Sequence, residues 1–287
     1  MSPFWQTILD ALKDSALDTL KIAPFLFVIY LLMELIEHKA GDKTKMLLSH
    51  SGKVGPVVGG LLGAVPQCGF SAACSSLFSG RVITLGTLFA VFLSTSDEML
   101  PIMISGGVPV LTMLKIIGMK AALGIVVGFI VDLIVRRRPD GEHIHDLCVH
   151  DGCHCEHGVF RSALRHFLEI IAYIFVFSLI IDIAVGFIGE ENLAKIFVDI
   201  PVVGSLISAL VGLIPNCAAS IVITDLYISG IITPGVMMSG LLVGAGVGLA
   251  VLFRTNKNVK QNLAITGALY AVGVVLGVAI DLIGIKF

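Results

Sequence analysis

Charge is what this 287-residue chain has least of. Asp, Glu, Lys and Arg make up 14% of it, against about a quarter in soluble domains. That scarcity excludes an ordinary water-soluble globule. The formal net charge of −2 carries no electrostatic footprint for nucleic acid. A Gly-x-x-x-x-Gly-Lys-Ser/Thr loop is missing, so no nucleotide partner is expected. The first residues lack a basic segment followed by a small-residue cleavage site, so a cleavable signal peptide is not expected. Six cysteines in a chain of this size do not suit a disulfide framework, which belongs to small secreted domains. No haem or quinone constellation accompanies them, which argues against an intramembrane thiol oxidoreductase.

What fills the chain is apolar surface. Hydrophobic residues make up 56% and the mean hydropathy is +0.97. Runs of about 20 apolar residues, each long enough to cross a bilayer, recur along nearly the whole length. The expected class is an all-α polytopic membrane protein. Residues 1–16 place Phe4, Ile8, Leu12 and Ala16 on one helical face and predict an amphipathic surface helix. A first transmembrane unit is expected over 17–135, a polar loop over 136–165, and a second unit over 166–287. Within the first unit, 54–79 is broken at Pro66-Gln67-Cys68-Gly69, where proline interrupts helix bonding and glycine frees the backbone. The span 82–106 is interrupted by Ser94-Thr95-Ser96-Asp97-Glu98, which either face a cavity or split the span with an exposed loop. Lys115 and Lys120 are expected to snorkel. Asp132, Asp281, Glu34 and Asp182 are expected at interfaces.

The two units repeat. An offset of 149 positions, without a gap, brings Pro66 onto Pro215, Cys68 onto Cys217, Ser71 onto Ser220 and Asp132 onto Asp281. Gln67 meets Asn216, a second amide. The stretch Val243–Val247, opposite the Ser94–Glu98 region, is wholly apolar and is expected to stay helical. Basic residues lie in 38–53, 136–165 and 254–260, while 104–108 and 188–200 hold only Lys195 between them. Placing every basic loop in the cytoplasm requires an odd number of crossings per unit. Re-entrant hairpins at 54–79 and 202–229 satisfy this, and so do two short crossings each. The expected fold is an inverted repeat of ten membrane segments: three full spans and a broken or re-entrant hairpin per half. Both termini lie outside and the central loop inside. Inverted halves whose broken helices meet at the midplane are an architecture of secondary transporters.

The chain resembles a family of ten-span heavy-metal exporters described as arsenic efflux or manganese transporter proteins. The likeness rests on Pro66-Gln67-Cys68-Gly69, on Ser94 to Glu98, on Pro215-Asn216-Cys217 and on the His/Cys-rich central loop. It covers essentially the whole chain. It implies export of a transition-metal ion or metalloid across the cell membrane, with no cofactor required and no particular ion fixed.

The residues point to the same chemistry. Cys68 and Cys217 form a symmetric thiol pair suited to soft ions, and oxygen donors suit harder ones. Gln67, Asn216, Ser71, Ser94 and Ser220 offer amide and hydroxyl oxygens. Asp97 and Glu98 are intramembrane carboxylates, which are costly and usually functional; Glu98 is the candidate proton carrier. A second ligand set, His143, His145, Cys148, His150, Cys153, His154, Cys155 and His157, fits Zn²⁺ as a cytosolic collector. Two further transport readings stay open: thiol-dependent export of neutral arsenite, and a metal channel.

Overall fold

The computed structural model describes residues 8–9, 11–13, 15–17, 19–20, 23–24, 27–28, 31, 54–65, 68–96, 99–135, 164, 167–168, 171–176, 179–180, 183, 201–215, 217–285 and 287. All regular structure among them is helical, as hydrocarbon requires of a chain that is not a closed barrel. Ten helices follow one another: α1 Gly55–Gly63, α2 Cys68–Ser79, α3 Leu85–Ser94, α4 Met99–Ser105, α5 Val110–Val135, α6 Pro201–Gly212, α7 Cys217–Ile228, α8 Pro234–Val243, α9 Val247–Thr255 and α10 Val259–Ile283. Further helical stretches lie within 8–31 and 164–183. The second five helices repeat the first five at the offset of 149 read from the sequence, and α2/α7 and α3/α8 match to the residue.

Among the described residues, four segments are long and apolar enough to cross a membrane: Leu85–Ser105, Val110–Val135, Pro234–Thr255 and Val259–Ile283. They divide into two kinds. In α5 and α10 only 28% of the span is buried, and Leu111, Leu114, Ile130, Leu263 and Val275 are exposed. An exposed apolar face of this extent belongs against lipid. The spans Leu85–Ser105 and Pro234–Thr255 are 75% and 94% buried, so protein surrounds them. The molecule is a membrane protein whose two most protected spans are the interrupted ones.

Small residues let the helices close on each other, which substitutes in lipid for the missing hydrophobic drive between helices. Gly124 and Gly128 of α5 lie against Ala90 and Gly86 of α3, and Gly273 and Gly277 of α10 lie against Ser239 and Gly235 of α8. Each pair of helices is antiparallel and clamped at one end by a carboxylate. Asp132 accepts from Thr84 Oγ1 and from the Gly86 N–H, both at 2.7 Å. Asp281 accepts from Thr233 Oγ1 at 2.6 Å and from the Gly235 N–H at 2.8 Å. Thr84 and Thr233 are also the N-caps of α3 and α8. An anion at a helix N-terminus satisfies orphan donors and opposes the dipole. These acids therefore hold helix starts, a more definite task than the interfacial one expected of them.

α1 and α6 lie beside the interrupted spans. Gly55, Gly59 and Gly63 of α1 meet Thr87, Val91 and Ser94 in that order, so α1 runs parallel to α3 and ends level with its C-terminus. In the second half Ser205 and Ser208 of α6 meet Ser239 and Gly240 of α8. In the early helical stretch Ala11 and Ser15 are buried against protein and Leu12 is 43% exposed; Phe4 of the expected apolar face lies outside the described residues. Asp182 and Glu34 lie outside the described residues.

Gly86→Ala and Gly235→Ala place a methyl group against the backbone oxygens of Gly128 and Gly277. Each is expected to cost about 1–3 kcal/mol, read as a lower melting temperature in detergent. Gly118→Ala and Gly267→Ala meet nothing within 4 Å and are expected to leave it unchanged or raise it, since alanine favours helix.

Candidate substrate site at four helix breaks

Among the described residues, short breaks follow Gly63, Ser94, Gly212 and Val243. Each interruption releases backbone groups that helix bonding would have satisfied, and their surroundings define the site.

The break after Ser94 is rich in hydroxyls. Ser94 Oγ donates to Ala90 O at 2.7 Å, Thr95 Oγ1 to Val91 O at 2.7 Å, and Ser96 Oγ to Ser94 O at 3.1 Å. Each hydroxyl spends its proton on the helix end and keeps lone pairs as acceptors. Thr95 is 3% exposed and Ser94 and Ser96 are fully buried. The helix thus ends at Ser94 and residues 94–96 are interior, which corrects the exposed-loop alternative for this part of the stretch; the cavity-facing alternative turns on Asp97 and Glu98, which lie outside the described residues.

The break after Val243 corrects the expectation of a continuous helix over Val243–Val247. The stretch is apolar, but Gly244 and Gly246 flank Ala245 and weaken the helix. The Ala245 N–H turns to Val243 O at 2.8 Å and so leaves Leu241 O without its usual donor four residues on. Gly246 has φ 52°, ψ −142°, a conformation almost restricted to glycine. The apolar composition concealed the break, and the glycine pair opposite Thr95 and Asp97 was the available signal.

The first turns of α2 and α7 converge on this second break. Ser71, in the first turn of α2, lies where a Cβ on Gly248 would come within 2.7 Å of its own Cβ. Ser75 Oγ donates to Gly248 O at 2.7 Å and to Ser71 O at 2.9 Å. Ser220, in the first turn of α7, has its Oγ 3.6 Å from the Cβ position of Gly244. The first tip also closes on the first break, since Gly63 packs against Ser94 Oγ and Val91 O. Of the sequence-predicted residues, Ser71 and Ser220 are thus brought to one break and Ser94 lies beside the first tip. Cys68 and Cys217 are the first residues of α2 and α7, and their side chains lie outside the described residues. So do Gln67, Asp97, Glu98, Asn216 and the loop residues His143, His145, Cys148, His150, Cys153, His154, Cys155 and His157. Among the described residues, no three of His, Cys, Asp and Glu come together as a metal-holding group.

Lys120 is the residue misread from sequence. It is 1% exposed and does not snorkel. Its Nζ donates to the backbone oxygen of Thr95, at the first break, and to Leu241 O at 2.8 Å, the carbonyl freed by the second. Its place in α5, about halfway along Val110–Val135, was the signal: too far from either end for the ammonium to reach water. Lys115, one turn or so earlier, is exposed.

The ensemble combines buried hydroxyls, freed carbonyls, the N-terminal ends of α2, α7 and α9, and one ammonium. Carbonyls and hydroxyls can replace the water of a cation; helix N-termini and the ammonium can hold an anionic or polar neutral group. Gly246→Ala is expected to destabilise the protein by about 1–3 kcal/mol through backbone strain. Gly244, at φ −66°, ψ 79°, sits in an inverse γ-turn region open to alanine, so Gly244→Ala is expected to stay within about 0.5 kcal/mol of wild type. Thermal melts of both variants check the contrast. No family model, characterised protein or solved structure matches this chain.

Proposed function

We propose that the chain is a secondary transporter of the cell membrane. It binds a transition-metal ion or metalloid at the midplane, between two hairpin tips and two interrupted spans, and exports it. The observation that carries this reading is the pairing of α2 with α9. Ser71 and Ser75 meet Gly248, and Ser79 Oγ lies 2.7 Å from Thr255 Oγ1, so the two helices run side by side in one direction. α9 continues the span that α8 begins, and α8 returns from α7 after the short turn at 229–233. Followed through, α2 and its counterpart α7 point in opposite directions, which supports an inverted repeat.

Charge supports the same arrangement. The Ser79–Thr255 bond brings Arg81 and Arg254 to one end of the molecule. The Asp132 clamp at Gly86 brings the end of α5, which leads to Arg136-Arg137-Arg138, to that end as well. At the opposite end, Gly106 packs on Ile228, and the connections 106–109 and 229–233 carry no charge. A basic end and a neutral end fit the positive-inside rule with the basic end cytoplasmic. In ten membrane segments, the tips at 64–67 and 213–216 then enter from opposite faces.

In this reading Cys68, Cys217, Gln67, Asn216 and Asp97 join Ser71, Ser94 and Ser220 around the ion, and Glu98 carries a coupling proton. The His/Cys loop collects metal on the cytosolic side. A second reading, export of arsenite through the thiols, draws support from Lys120, because an ammonium at the centre suits a neutral or anionic oxyacid better than a divalent cation.

Transport into proteoliposomes, with Mn²⁺, Zn²⁺ and arsenite as separate substrates, tests the proposal. Wild type is expected to move at least one of them. Loss in Cys68→Ser/Cys217→Ser alone, by about tenfold or more, marks a soft ion or arsenite; a similar loss in Asp97→Asn alone marks a hard cation. Movement of all three unchanged in both variants removes this site. Deleting 141–158 is expected to weaken apparent affinity while leaving transport in place, and abolished transport by a folded deletion variant contradicts a collector role.

A further inference from the structure

Lys120 has a task besides any part in transport. A lysine buried at membrane depth is costly and is kept where it meets a partner or a function. Here two of its partners are backbone carbonyls at breaks in different halves. Thr95 O belongs to the first half, and Leu241 O to the second. Leu241 O is exposed to a new donor because Ala245 N–H has turned away to Val243 O. Carbonyl oxygens freed at broken helices are the groups that coordinate small monovalent cations in membrane proteins. An ammonium is itself such a cation, with three donors and no acceptor.

We infer that Lys120 Nζ is a tethered cation occupying a cation site built from the carbonyls of the two interrupted spans, and that this charge ties the two halves together at the midplane. The repeat gives the inference a built-in contrast. The position equivalent to Lys120 is Leu269, fully buried in the core of the second half. The two halves are therefore unlike at this level: only the first carries its own cation on α5. The ligand class of the site is a small monovalent cation, with an alkylammonium as its nearest free analogue. Gly124, one turn further along the same face of α5, keeps its approach close, since it packs on Ala90 O.

Replacing the side chain by a free cation tests this. Lys120→Ala is expected to melt several degrees below wild type. Millimolar propylammonium should restore at least half of that loss, while propanol of the same shape should not, and wild type should respond to neither. Three results overturn the inference: no loss of stability in the variant, equal response of variant and wild type to propylammonium, or recovery by propanol as well. Should Lys120→Ala fail to fold, Lys120→Gln, which keeps an N–H donor without the charge, carries the same comparison with the same readings. The melt needs no transported ion, so its failure leaves the transport proposal standing, and an absence of transport leaves this inference untouched.

Discussion

A backbone amide or carbonyl released inside a bilayer has no water to turn to, and leaving it unpaired costs several kcal/mol. Among the described residues such groups are released at four breaks, and the arrangement of the rest answers that cost. The interrupted spans Leu85–Ser105 and Pro234–Thr255 lie at the centre, where neighbouring helices cover them. The uninterrupted α5 and α10, whose backbones need nothing from their surroundings, take the lipid-facing positions. At the first break the chain's own hydroxyls bond the helix end. At the second, glycines allow the turn, Ser75 takes Gly248 O, and Lys120 takes Leu241 O.

Precision at the breaks depends on features far from them. The Asp132 and Asp281 clamps hold the starts of α3 and α8 against the ends of α5 and α10. From there the glycine contacts zip along the pair, through Gly128 to Gly124 in one half and Gly277 to Gly273 in the other. In the first half the zipper delivers Lys120 to the break; in the second, where Val243 meets Gly273, it delivers Leu269. One scaffold duplicated thus yields two unlike breaks, one with hydroxyls and one with glycines. A tethered charge approaches both from the first half alone.

Much of this was legible in the sequence. The coincident Pro66/Pro215, Cys68/Cys217 and Asp132/Asp281 announced the repeat because such residues rarely fall into register by chance in an apolar chain. The helix boundaries of α2 and α7 then agreed to the residue. The hydroxyl-rich interruption at Ser94–Ser96 was also visible, although composition could not say that it would be buried. Two features were hidden by the same bias. Gly244-Ala245-Gly246 reads as an apolar continuation, since hydropathy does not register conformational freedom. Lys120 reads as a snorkelling lysine, since two of its partners are backbone carbonyls, which have no side-chain signature. The carboxylates that cap α3 and α8 were noticed but undervalued, because their donors are a threonine and a backbone amide 48 and 46 positions away.

α2 and α9 run in parallel and end together, and the proposed topology puts that end on the cytoplasmic side. The direct measurement places cysteines at Ser79 and Thr255, whose oxygens lie 2.7 Å apart, in a background with the six native cysteines replaced by serine. Mild oxidation of membranes is predicted to join the pair. Before oxidation, both thiols are predicted to react with an impermeant maleimide only from the cytoplasmic face. Failure to cross-link, or labelling of the two positions from opposite faces, would contradict the inverted arrangement and with it the meeting of the four breaks.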